Sequence, residues 1–246
     1  MTSSKVFKTI PEQIDLLKSR NMMFRNERNA QHVLKNITYY SIINGYKDLF
    51  ILPKSNDEDE DDFNGNYFED LHDVYDFDKE ISNILFKYIL TIEGTFNNAL
   101  SYVTAENYGY LEKDYLNLQK YNKGEKLKNG YFQNEYTIRK IKKKNGSDEQ
   151  PMKHYRDKHQ DVPPWVAYGS LPLTHKKYIF GLLKPSKGVN LKLEIVKWFM
   201  VFEEGGNKEV PLKTFNYCLD MVHAFRNEIA HNKRVIQFKP DDDQVK

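Results

Sequence analysis

Residues 78–106 read DKEISNILFKYILTIEGTFNNALSYVTAE, with Ile81, Leu85, Tyr88, Ile92, Phe96, Leu100 and Val103 recurring every three or four positions. At 3.6 residues per turn that recurrence lines one face of an α-helix. One long amphipathic helix is predicted from Asp78 to about Glu106. Upstream, Thr9 and Glu12 have the spacing of a capping box, in which hydroxyl and carboxylate satisfy orphan amides before Ile14, Leu16 and Leu17. A helix should start near Ile10 and stop around Arg20-Asn21, since asparagine tolerates the left-handed conformation that ends helices. A second is predicted at Glu27 to Asn36, leading into the apolar-aromatic stretch from Ile37 to Tyr46.

Downstream, Pro163-Pro164 breaks the chain before Trp165. Helices are expected at His175 to Leu183, at Leu191 to Phe202 with a stop at Gly205-Gly206, and at Leu212 to His231. The last carries Leu212, Phe215, Leu219, Val222 and Ile229 on one stripe. No convincing run of alternating strand residues and no internal repeat occurs. The expected fold class is all-α, a helical bundle with one long charged insertion. One compact body over 1–246 is expected: an N-terminal helical segment (7–53), an acidic loop (54–76), the long core helix and its continuation (77–118), a basic insertion (119–162) and C-terminal helices (163–236).

The 246 residues hold 37 Lys+Arg against 35 Asp+Glu and are 39% apolar, which excludes a collagenous chain or a simple disordered tail. No apolar run reaches the roughly 18 residues of a membrane span, and Met1 to Ile10 lacks a signal-peptide core. A soluble, cytoplasmic protein without membrane attachment is expected. Cys218 has no second thiol, so an internal disulfide or multi-cysteine zinc site is excluded, and a small apolar filler on a helix is its expected role. His32, His72, His154, His159, His175 and His223 show no metal-ligand spacing, so neither metal nor cofactor is expected.

The near-zero net charge hides two opposed segments. Residues 54–80 hold twelve acids against Lys54 and Lys79. The peak at Asp57 to Asp62 lacks the glycine turn and alternating ligands of a calcium loop, and reads as a solvated, mobile loop. Residues 120–159 hold twelve Lys/Arg against five acids, interleaved with Tyr121, Tyr131, Phe132, Tyr136 and Tyr155. Cations contact phosphates and aromatic faces stack on bases, so Arg139, Lys140, Lys142, Lys143, Lys144, Lys153 and Arg156 are candidate RNA-binding residues. The same composition also occurs on surfaces that bind nothing.

Near the end of the last helix stands Phe225-Arg226-Asn227-Glu228-Ile229-Ala230-His231-Asn232. Metal-free RNA cleavage needs a group to take the ribose 2′-hydroxyl proton, another to protonate the leaving 5′-oxygen, and a cation to hold the charged phosphorus centre. A histidine, with an ordinary pKa near ~6.5, can serve either proton transfer. An arginine fork can hold phosphate oxygens, and Asn227 could fix the imidazole tautomer. At ~100° per residue Asn227 and His231 share a face, whereas Arg226 and His231 diverge by ~140°. Arg226 must therefore use its length, a distorted helix end or a second copy of the site. The bland reading is a helix C-cap beside a surface pair.

Arg226 to His231 resembles the R-N-x-x-A-H signature of HEPN-type ribonucleases, specifically Abi-like proteins of bacterial abortive-infection systems of the AbiD/AbiF type. Glu12 to Leu17, Ile37 to Tyr40 with Gly45-Tyr46, Phe77 to Glu80, Ile92-Glu93 and Pro164-Trp165 resemble the same family in the same order. The resemblance implies a HEPN-like all-α fold and a homodimer in which two such helices form one RNA-cleaving cleft. It further implies products with a 2′,3′-cyclic phosphate and a 5′-hydroxyl, and a toxin role in phage-infected cells. A small structured non-coding RNA is a second implied partner. Glu93 becomes a candidate for orienting the Arg226 guanidinium, although Asn97 stands where many such domains carry a basic residue. Two alternatives stay open: a non-catalytic RNA-binding module of a ribonucleoprotein, and a helical interaction module without RNA.

Overall fold

The computed structural model describes residues 6–54, 56, 60–199 and 210–240. Among these, ten α-helices form: α1 (Ile10–Ser19), α2 (Glu27–Asn36), α3 (Phe68–Tyr108), α4 (Glu112–Tyr115), α5 (Gln133–Asn145), α6 (Met152–His159), α7 (Pro164–Ala167), α8 (Leu173–Leu182), α9 (Leu191–Lys197) and α10 (Leu212–Ala230). Besides short 3-10 and π-helical turns the described residues contain only isolated β-bridges, so the all-α expectation holds.

Local chemistry sets the ends of the first helices. The Thr9 hydroxyl accepts the Glu12 amide at 3.4 Å and the Glu12 carboxylate accepts the Thr9 amide at 2.6 Å, completing the capping box. Arg20 caps α1 and Asn21 then takes φ 60°, the left-handed turn that stops it. Asn26 caps α2 through its side chain, which accepts the Asn29 amide at 3.1 Å.

The chain divides into two compact units. The first comprises Met1–Phe86 with Phe225–Lys239, the second Lys87–Ala224 with Pro240–Lys246. In the first, Ile14 and Leu17 of α1, Ala30 and Leu34 of α2, and Ile42, Ile43 and Tyr46 pack with Phe63, Phe68 and Leu71. The stretch from Ile37 contributes a π-helical turn, Tyr40–Asn44, which turns Ile42 and Ile43 fully inward.

The predicted acidic loop requires correction. α3 begins at Phe68, ten residues before the expected start, because Phe68, Leu71, Tyr75, Asp78 and Ser82 form a buried stripe at helical spacing that starts within the acidic run. Glu69 accepts the amides of Arg25 and Asn26 at 3.1 and 2.9 Å and so ties this start to the entry of α2. Asp61 is not solvated but buried, with Lys47 at 2.6 Å, Lys54 at 3.0 Å and Arg20 at 3.5 Å. Burial alone would raise its carboxyl, but hydrogen bonds from Lys47 and Lys54 outweigh that and hold it below the usual carboxylate range. Asp57, Glu58 and Asp59 lie outside the described residues.

In the second unit, Phe96, Leu100 and Val103 of α3 pack with Ile138 and Ile141 of α5, Ile179 and Phe180 of α8, Ile195 of α9, and Phe215 and Leu219 of α10. Fully burying one such side chain is worth about 1.5–3 kcal/mol. The basic block is therefore part of this core: α5 buries its apolar face and presents its cations on the other. The buried tyrosines are satisfied, Tyr115 donating to the Val162 carbonyl at 2.6 Å and Tyr121 to the Tyr115 carbonyl at 2.7 Å.

α8 runs two residues earlier than expected at its start, and α9 ends at Lys197; Phe202 and Gly205-Gly206 fall outside the described residues. Cys218 sits on α10 as expected, yet it is exposed and fills no core. Among the described residues no helix is long and apolar enough to cross a membrane.

Candidate functional site

The end of α10 is built as a Schellman motif. The His231 amide donates to the Asn227 carbonyl at 3.1 Å, the Asn232 amide to Ile229 at 2.9 Å and the Lys233 amide to Glu228 at 3.0 Å, while Asn232 takes φ 55°. The helix is regular through Ala230, and His231 is the cap residue that follows it. A distorted helix end is thereby removed from the three routes open to Arg226, and the ~140° divergence within one chain stands. His231 is exposed, whereas Arg226 and Asn227 are half-buried. Glu228, 14% exposed, pairs with Lys233 at 2.9 Å and braces the same turn.

The turn after His231 is held by residues distant in sequence but within the same unit. Asp78 on α3 has 0% exposure, and its carboxylate accepts the amides of Val235 at 3.0 Å and Ile236 at 2.6 Å together with the Tyr46 hydroxyl at 2.7 Å. A buried carboxylate is tolerated only when donors satisfy it, and here three converge. Lys79 donates to the carbonyls of Asn232 and Lys233 at 3.2 and 3.4 Å, closing the orphan acceptors beyond the helix. Burial lowers the Lys79 pKa, partly countered by Asp78. Arg234 forms a bidentate pair with Asp48, at 2.6 and 3.0 Å, and donates to the Gly45 carbonyl at 3.0 Å. The Asp48 hydrogen bonds push its pKa up. Phe225 and Phe238 close the base edge to face, 5.1 Å between centroids.

Three sequence patches, Gly45 to Asp48, Tyr75 to Lys79 and His231 to Ile236, thus meet at one place. Its chemistry is an exposed imidazole at a helix terminus whose backbone is clamped, with a guanidinium a turn and a half earlier. The position of Asp78 as the clamp was not read from the sequence, although an Asp at a core register of an amphipathic helix was the available signal.

Glu93 lies on α3 in the second unit, half-buried with its Oε1 enclosed. His223, also in the second unit, bonds the Thr174 hydroxyl at 2.8 Å, a packing role. Among the described residues no three His, Cys, Asp or Glu side chains converge as a metal-binding group.

The seven basic candidates fall into two groups. Arg139, Lys140, Lys142 and Lys143 are exposed on α5 and line one cleft. Lys144 pairs with Glu149, Lys153 pairs with Asp157 at 2.8 Å, and Arg156 is tied to the carbonyls of Asn145 and Ser147. Those three brace α5, α6 and their connection. Of the aromatics, Tyr121 is buried in the core, Tyr155 packs against it and Phe132 lies under the Lys123 ammonium at 5.1 Å, leaving Tyr131 and Tyr136 in the cleft.

Residues 32–237 match the family described as Abi-like protein, a span that includes α10 and the Gly45, Asp48, Asp78 and Lys79 contacts that clamp its end. The chain belongs to the Abi-like protein family. Neither the curated proteins nor the solved structures include a significant match to it. In this Abi-like protein the matched span takes in the polar contacts that fix the His231 turn, from Gly45 and Asp78 to Ile236.

Proposed function

We propose that this abortive-infection-type protein is a metal-independent endoribonuclease toxin of a bacterial anti-phage system, acting in the cytoplasm as a homodimer. The observation that carries the reading is the exposed His231 imidazole on a rigidly clamped helix cap, with the half-buried Arg226 guanidinium on the same helix end. In the reaction proposed, an imidazole takes the 2′-hydroxyl proton as that oxygen attacks phosphorus. The 5′-oxygen leaves with a proton from a general acid, water in the simplest case, yielding a 2′,3′-cyclic phosphate and a 5′-hydroxyl. Arg226 holds the phosphate oxygens as charge builds on them. Asn227 serves the imidazole.

A second copy resolves the ~140° divergence, because the guanidinium of one protomer can then face the imidazole of its partner. A surface suited to that copy adjoins the clamp. On α3, Phe77 and Ile84 lie on one helical face, 57% and 59% exposed, and Phe77 immediately precedes the Asp78-Lys79 pair that holds the His231 turn.

Purified His231→Ala protein is expected to keep its helical content and oligomeric state while losing cleavage of RNA in EDTA. Cleavage at the wild-type rate ends the nuclease reading. The exposed cations of α5, remote in sequence from the motif, favour a second reading, a non-catalytic RNA-binding module. In that case RNA is bound in a salt-dependent way and no product forms with EDTA or magnesium.

A further inference from the structure

We infer that the exposed face of α5 is a binding track for unpaired RNA, gripping phosphates with lysine and arginine and stacking bases on tyrosines. The inference rests on RNA being the partner, and it assigns the strand class and the residues. The cleft on α5 encloses about 650 Å³ and is lined by Tyr131, Tyr136, Arg139, Lys140, Lys142 and Lys143 together with Asn129. A second cleft of about 350 Å³ shares Asn129 and Tyr136 with it and adds Lys128 and Tyr178. The two are therefore one continuous surface within the second unit. None of the described residues lining either cleft is acidic.

The rings and the cations alternate in space, not only in sequence. The Arg139 guanidinium sits 5.5 Å from the Tyr131 ring centroid and bonds its hydroxyl at 3.0 Å, and the Lys140 ammonium sits 5.3 Å from the Tyr136 centroid. Each stacking platform thus has a phosphate-binding group beside it, the spacing at which a nucleotide offers base and phosphate together. Tyr131 and Tyr178 remain 44% and 38% exposed. A duplex keeps its bases stacked inside and could use only the cations, so platforms of this kind favour a single strand. An acidic protein or an anionic membrane would likewise engage the cations and leave the tyrosines without a role.

The test uses full-length His231→Ala protein, so that RNA is not consumed, with fluorescent oligouridine and a blunt RNA duplex of equal length. Oligouridine should bind about ten-fold or more tightly than the duplex. Its log affinity should fall with log salt at a slope of about −0.7 per phosphate engaged. Tyr136→Ala should weaken it roughly five- to a hundred-fold, the loss of one base-aromatic stack. Tyr131→Ala, on an exposed ring that no core needs, gives the same readout should Tyr136→Ala fold poorly. Lys142→Glu with Lys143→Glu should weaken both ligands, and Lys153→Gln should change nothing. Equal or tighter binding of the duplex overturns the inference. So does loss on charge reversal with none from either tyrosine, which would describe a merely electrostatic surface. So does failure to bind oligouridine at low salt. Tyrosine-dependent binding without cleavage by the wild-type protein sinks the nuclease reading and sustains the track, while cleavage without such binding does the reverse.

Discussion

The Asp78 carboxylate receives the backbone amide of Ile236 at 2.6 Å, joining the N-terminal third of α3 to the turn that follows the R-x4-H helix. The same carboxylate takes the Val235 amide and the Tyr46 hydroxyl, so one fully buried anion fixes three chain segments. An imidazole that must meet a phosphodiester within a few tenths of an ångström needs such support, because catalysis by position fails when the backbone beneath the group drifts.

Replacing Asp78 by Ala leaves buried donors without an acceptor. Stability should fall by about 2–5 kcal/mol. A lower urea midpoint with unchanged slope is the expected result, and a midpoint equal to that of wild type would show that the clamp carries no weight.

If the shared cleft pairs Arg226 of one protomer with His231 of its partner, two dead variants can complement. In a mixed dimer of Arg226→Ala and His231→Ala, one of the two Arg226–His231 pairs in the shared cleft retains both groups. Mixing after partial unfolding should restore cleavage that neither variant shows alone. Continued inactivity of a verified mixed dimer would place both groups in one chain.

Arg226→Lys keeps the charge but removes the planar fork. Cleavage should drop on the order of ten-fold or more with little change in folding, since a point charge cannot hold two phosphate oxygens at once. Wild-type turnover by the lysine variant would leave no role for bidentate contact.

Glutamate at Phe77 or Ile84 puts a charge on the exposed apolar face of α3. A homodimer using that face should dissociate to monomers in light scattering, and each variant should lose cleavage with its fold intact. Unaltered dimer mass in both would move the interface elsewhere.

His175 on α8 supplies a pH dependence. Burial pushes its imidazole pKa down, and Lys140 adds to the shift. With the folded pKa below the unfolded value near ~6.5, the unfolded chain binds the extra proton. The contribution is fully present above about pH 6.5 and is lost as pH falls from there through the folded pKa. Thermal melts should show stability rising with pH across that window, and His175→Phe should flatten the rise. An equally steep rise in the variant would assign it to other groups.

The helix ends were legible where their chemistry is local. Thr9 with Glu12 and Arg20 with Asn21 mark the limits of α1 because each bond joins residues a few positions apart. The R-x4-H segment was legible for the same reason, and helical repeat alone gives its ~140° divergence. The start of α3 was not, since acids at Glu69, Asp70 and Asp73 mask the stripe of Phe68, Leu71 and Tyr75 that only the first core reveals.

Sequence alone determined that this is a helical protein, where most helices lie and which short segment can carry acid-base chemistry, because periodicity and capping act over a turn or two. Tertiary structure alone decided that Asp78 anchors the His231 turn, that Asp61 is buried among three cations, and that Lys144, Lys153 and Arg156 brace the fold while Arg139, Lys140, Lys142 and Lys143 line an open cleft. A charged side chain's role depends on which partners the packed chain brings within about 3 Å, and that distance is not set by its neighbours in the chain.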